Sequence, residues 1–134
     1  MAQTIFGIGT DIVQIRRIST VVKRYNEAFL KRIFTPKERE IAASFSETKK
    51  MAYLAKRYAA KEAFSKAVGS GMGAHVHWNE IEILNDDRGA PVITLLAQTA
   101  ANFQALIGKK KADIRVSLSD DVFACAFVII TLND

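Results

Sequence analysis

The sequence predicts an α+β domain spanning residues 1–134, an antiparallel sheet packed with helices, with one long helix carrying the site. Three observations carry that reading. Apolar residues in the first half recur at spacings of three and four, the period of a helix (Ile12, Ile15, Ile18, Val21, Val22, then Met51, Leu54, Ala55, Tyr58). In the second half the helical period is confined to one short segment, and the rest alternates in the manner of strands (Ile81, Ile83; Ile114, Val116, Leu118). The chain has 134 residues, 49% hydrophobic and 25% charged, which suits one core and no more.

Taken in order, Thr4–Gly9 (TIFGIG) reads as a short strand whose glycines, Gly7 and Gly9, allow another segment close to the backbone. A helix is expected from Asp11, with the Asp11 carboxylate as its cap. Thr35-Pro36-Lys37-Glu38 has the form of a second helix start: Thr as cap, Pro in the first position, Glu in the third. The strongest helix runs over Glu47–Val68 and stops at Gly69-Ser70-Gly71. Ile81 and Ile83 mark a strand, Asp86–Gly89 a turn, and Val92–Leu96 the returning strand. Residues 97–108 read as helical. Ile114–Leu118 and Phe123–Leu132 read as two final strands joined at Ser119-Asp120-Asp121.

The charge balance excludes little but directs attention. Nineteen Lys and Arg against fourteen acids give a net charge of +5, which suits a polyanionic partner. Six of the basic residues (Arg16, Arg17, Lys23, Arg24, Lys31, Arg32) fall in 15–32 beside the single acid Glu27. Another six (Lys49, Lys50, Lys56, Arg57, Lys61, Lys66) fall in 49–66 beside only Glu62. No apolar run reaches the roughly 18 residues of a membrane helix, and the start of the chain lacks the pattern of a secretory signal. The lone Cys125 has no partner for a disulfide, which fits a reducing compartment. A cytoplasmic protein is expected.

The segment Arg57–Gly71 holds the chemistry. Glu62 and Lys66 are four apart on a helix and share a face. A surface ion pair is the plain reading, but several cations surround this carboxylate and a glycine loop follows at once. Backbone amides of Gly69 and Gly71 beside Arg57, Lys61 and Lys66 would suit a phosphate or pyrophosphate. Glu62 would repel that anion unless a divalent cation lay between, and magnesium takes few carboxylates with water and phosphate oxygens. Asp11 is the candidate for a second carboxylate, with a simple helix cap as its alternative.

These segments carry a resemblance. Gly7-Ile8-Gly9-Thr10-Asp11-Ile12 through Ile18 resembles the opening motif of the holo-[acyl-carrier-protein] synthases. Arg57-Tyr58-Ala59-Ala60-Lys61-Glu62-Ala63 through Gly71 resembles their second motif, and Asp87–Pro91 and Val116–Ser119 fall where that family has similar patterns. The resemblance implies the 4′-phosphopantetheinyl transferase fold and activity, namely transfer of phosphopantetheine from coenzyme A to a serine of apo-acyl carrier protein with release of adenosine 3′,5′-bisphosphate. It implies magnesium on Asp11 and Glu62, catalytic roles for Glu62 and Lys66, and coenzyme A contacts from Arg57, Lys61, Lys66, Gly69 and Gly71. It also implies carrier-protein docking through Arg17, Val21, Arg24 and Phe29, and a homotrimer with sites between subunits, which allows Asp11 and Glu62 to come from different chains. Phosphoryl transfer rests on positioning and charge neutralisation, so Lys66 is assigned an electrostatic role, with removal of the serine proton as the alternative. Where many relatives have His after the Ser-Leu-Ser motif, this chain has Asp120, which reaches a phosphate only through an intervening cation.

Other residues carry weaker signals. His75 and His77 would share one face of a strand, but no third metal ligand stands near. Cys125 is expected as a small buried hydrophobe and Trp78 as core or interface. Two rivals to the transferase are a basic nucleic-acid-binding module and an inactive structural subunit of a fatty acid or polyketide assembly. The first lacks any RNP, zinc-finger or helix-turn-helix pattern and leaves Asp11 and Glu62 unexplained. The second is at odds with retention of both carboxylates and both lysines.

Overall fold

The structure, a computed structural model, describes residues 2–134. The elements in order are β1 (Thr4–Gln14), α1 (Ile15–Ile33), α2 (Pro36–Ala43), α3 (Glu47–Val68), β2 (Ile81–Asn85), β3 (Pro91–Leu95), α4 (Ala97–Ile107), β4 (Lys111–Asp120) and β5 (Phe123–Asn133). Three strands form an antiparallel sheet in the order β1-β5-β4, and β2 and β3 pair as a separate antiparallel hairpin. The α+β architecture expected from the sequence is the one observed.

α3 is buried along most of its length because its side chains are small where the sheet crosses it. Ala59, Ala60, Ala63 and Ala67 face the core with Phe64 between them. β1 runs so close that a Cβ on Gly7 would overlap the carbonyl oxygen of Ala67, and one on Gly9 that of Ala63. The two glycines of the first strand therefore admit the backbone of α3. Along β5, Ala124, Ala126, Val128, Ile130 and Leu132 are buried on this inner face, the alternation of a half-covered sheet.

The helix starts follow local chemistry. Thr35 accepts a bond from the Glu38 amide while the Glu38 carboxylate accepts from the Thr35 amide, so the reciprocal cap of α2 is present with Pro36 beside it. α3 ends at Gly69, whose φ of 93° only glycine adopts without strain.

The first helix departs from expectation. Pairing with β5 holds the chain extended to Gln14, opposite Phe123, so β1 is longer than predicted and α1 begins at Ile15. Asp11 is thus a strand residue and caps no helix. The sheet ladder satisfies backbone groups that a helix would otherwise have claimed, and Ile12 and Val13 fit either period. α1 is also interrupted at Asn26, whose φ of 47° and ψ of −127° lie outside helical space.

Candidate active site

Strand alternation decides where Asp11 points. It shares parity with Gly7, Gly9 and Val13, so it lies on the sheet face that packs α3. There Lys66 Nζ donates to Asp11 Oδ1 at 3.2 Å and to the Thr10 carbonyl at 2.9 Å. Glu62 lies one turn earlier on α3. Burial raises its pKa above the usual carboxylate value, the Asp11 charge raises it further, and Lys66 opposes both. Asp11 and Glu62 line one cavity of about 460 Å³ together with Arg17, Val21 and Phe29 of α1. The two carboxylates meet within a single chain, so separate subunits are not needed to bring them together, because β1 crosses α3 within its own protomer.

A half-buried carboxylate whose proton affinity is raised by burial and by a second carboxylate beside it marks a site that a divalent cation relieves. Hard oxygen donors, few in number and beside open space, fit magnesium with water and phosphate oxygens in its remaining positions. Among the described residues no group of three or more His, Cys, Asp or Glu converges.

Other predicted residues are placed differently. Lys61 is fully buried, with all three ammonium protons engaged: Glu38 Oε1 at 2.7 Å, the Ile33 carbonyl at 2.8 Å and the Trp78 carbonyl at 3.0 Å. It ties α3 to the ends of α1 and α2 and has no donor left for a phosphate. Gly69 and Gly71 both donate their amides to the Ser65 carbonyl, closing α3, so neither amide is open to an anion. Arg57 lies on the far side of α3 from Glu62, since five residues turn a helix by about 140°. Its guanidinium donates to Asn85 Oδ1 at 3.0 Å and to the Ile83 carbonyl at 3.4 Å. Arg24 does not line the cavity that Arg17, Val21 and Phe29 share; its guanidinium sits over the Tyr25 ring at 5.4 Å.

Tyr58 also lines this cavity, stacked on Trp78 with ring centres 4.8 Å apart, and sequence reasoning missed it. Its pKa is raised by burial and then by Glu62 and Asp11. The signal was its position four residues before Glu62, on the same helix face. Asp120 pairs with Lys56 at 3.0 Å. His75 and His77 lie in the loop after α3 rather than on a strand, and Trp78 is half-buried. Cys125 is half-buried instead of buried, because it falls on the outer face of β5 opposite Ile12.

Comparison with known proteins places the chain in a family and a fold. The family model of the 4′-phosphopantetheinyl transferase superfamily matches residues 7–127. A holo-[acyl-carrier-protein] synthase from Wolbachia sp. subsp. Drosophila simulans is 47% identical over 94% of this chain and 98% of its own length. One from Bradyrhizobium diazoefficiens is 44% identical over 95% and 94%. Among solved structures, the Neisseria meningitidis holo-[acyl-carrier-protein] synthase superimposes with a TM-score of 0.83 at 37% identity, covering 95% of this chain and 98% of that one. The Bacillus anthracis enzyme, solved in complex with CoA (3′,5′-ADP), gives a TM-score of 0.80 at 34% identity, covering 98% and 100%.

Proposed function

This chain belongs to the 4′-phosphopantetheinyl transferase superfamily, and we propose that it is a holo-[acyl-carrier-protein] synthase that moves 4′-phosphopantetheine from coenzyme A to a serine of apo-acyl carrier protein. The serine oxygen bonds to the phosphorus that bears the pantetheine arm, the pyrophosphate bridge breaks, and adenosine 3′,5′-bisphosphate leaves. The observation that carries this reading is the meeting of Asp11, Glu62 and Lys66 beside a cavity whose other wall is the basic helix α1.

Asp11 and Glu62 would hold magnesium, which when bound neutralises charge on the pyrophosphate. Lys66 donates both to Asp11 and to a backbone carbonyl, which holds its side chain beside the carboxylates. That favours the electrostatic role over the taking of the serine proton. Arg17, Val21 and Phe29 line the entrance from α1, so a carrier protein seated on that helix would present its serine to the carboxylates. Acidic carrier surfaces and the six basic side chains of 15–32 would attract, which speeds encounter and sets register.

Arg57 and Glu62 face different sides of α3 and line different cavities of the protomer. A homotrimer with sites between subunits joins the two: one chain gives Asp11, Glu62 and Lys66, its neighbour gives Arg57. The outer sheet face supports such an assembly, with Ile8, Ile12 and Phe127 exposed there. A cytoplasmic location belongs to the same reading.

Intact-mass spectrometry of apo-acyl carrier protein incubated with this protein, coenzyme A and magnesium tests it. One added phosphopantetheine is expected, lost with EDTA and in Glu62→Gln and Asp11→Asn. Normal turnover in both variants would overturn the assignment of the metal site.

A further inference from the structure

The cavity that holds Asp11 and Glu62 keeps one polar side chain without a task. Its polar lining is Asp11, Glu62, Arg17 and Tyr58, in a wall otherwise made of aliphatic side chains and Phe29. With the carboxylates assigned to magnesium and Arg17 to the carrier protein, Tyr58 is left over. It sits one turn before Glu62 on α3, so the two share a face. One side of its ring is fixed by Trp78, with ring centres 4.8 Å apart and planes 22° from parallel. Trp78 is itself tied to α3, its carbonyl accepting from buried Lys61 at 3.0 Å. Glu62, Asp11 and Arg17 all lie near enough to act on the charge of the phenol, and they do so through space rather than through a hydrogen bond. A fixed ring thus carries an uncommitted hydroxyl into the space shared by the two carboxylates and the arginine of α1.

We propose that the Tyr58 hydroxyl receives the serine of the carrier protein: the phenol oxygen accepts the serine O–H and so turns a serine lone pair toward phosphorus. The inference rests on the reading of the chain as a holo-[acyl-carrier-protein] synthase. The inventory of donors and acceptors carries the choice. A serine oxygen that attacks phosphorus has to point its O–H bond away from the phosphate and onto an acceptor. Arg17 and Lys66 only donate. Carboxylates that hold a cation are engaged with it. A phenol both donates and accepts, and Tyr58 is the uncharged member of the lining. Its own proton is then directed at Asp11 or Glu62, which leaves the oxygen's lone pairs to the serine. No proton changes hands in this contact. Tyr58 orients the nucleophile, and its share of the rate is that of holding two reacting atoms in line.

Tyr58→Phe removes the oxygen and keeps the ring on Trp78, so the fold is preserved. In transfer assays its kcat is expected to fall about fivefold, while the KM for coenzyme A and the magnesium concentration for half-maximal rate stay within about twofold. Calorimetry reads the same contact without turnover. The protein is loaded with magnesium and adenosine 3′,5′-bisphosphate in place of coenzyme A, then titrated with apo-acyl carrier protein or with a carrier that has alanine at the modified serine. Wild type should bind the serine form about threefold more tightly than the alanine form, and Tyr58→Phe should bind the two alike. An unchanged kcat, a serine preference that survives in Tyr58→Phe, or a shifted magnesium requirement would each overturn the contact and leave the transferase reading in place. A wild-type protein that modifies no carrier protein would overturn the reading and the contact together.

Discussion

Lys61 and Lys66 lie five residues apart on one helix, yet one is sealed in the core and the other stands half in water. Nothing in their local sequence separates them. α3 is buried nearly all round, so the sequence offers no clear polar face by which to rank its lysines. The difference comes from Glu38, a residue whose visible sequence role was to cap α2. Its carboxylate also accepts from Lys61 and from the Ile83 amide, gathering α2, α3 and β2 at one point. Burial lowers the pKa of Lys61, and Glu38 works against that shift. Removing one partner of a buried pair leaves an uncompensated charge, so Lys61→Met is expected to cost about 3–5 kcal/mol in urea denaturation. A loss of activity with unchanged stability would instead return Lys61 to the phosphate site.

At the scale of elements, most helix and strand positions were legible because their signals are local. The Thr35–Glu38 cap and the Gly69 stop both fall where the sequence puts them. The start of α1 was not, because sheet pairing with a strand more than a hundred residues away decides it. The break in α1 was hidden too, since Asn is an ordinary helix residue. Its backbone at Asn26 lies in a region open to glycine and costly for other residues, by about 1–3 kcal/mol. Asn26→Gly should therefore stabilise the protein by roughly 0.5–1 kcal/mol, part of the relief being offset by a more flexible unfolded chain. Thermal denaturation checks this, and a lower melting temperature would mean that the side chain holds the turn.

For the molecule as a whole, one group of exposed apolar residues gathers on the outer face of the three-stranded sheet. Ile8 faces Ile129 across the ladder, and Ile12 faces Cys125, with Phe127 between them on the neighbouring strand. Ile8 is 57% exposed, so Ile8→Glu does not disturb the protomer's core. If this face joins the proposed trimer, the variant should run as a folded monomer by light scattering and lose transfer activity, because no chain would then supply Arg57 to a neighbour's carboxylates. Full activity from a monomer would refute the shared site. The sequence carried the alternation of these residues but not their exposure, which depends on which sheet face α3 covers.

The contact between β1 and α3 has a consequence for how this protein can change over time. Asp11 and Glu62 are set against each other by main chain touching main chain, with no side chain as a spacer. Their separation is accordingly insulated from drift in the surrounding core: a Val can become Ile, or a Leu Met, without moving either carboxylate. The same arrangement concentrates the vulnerability at Gly7 and Gly9, where any side chain at all pushes the two halves of the site apart.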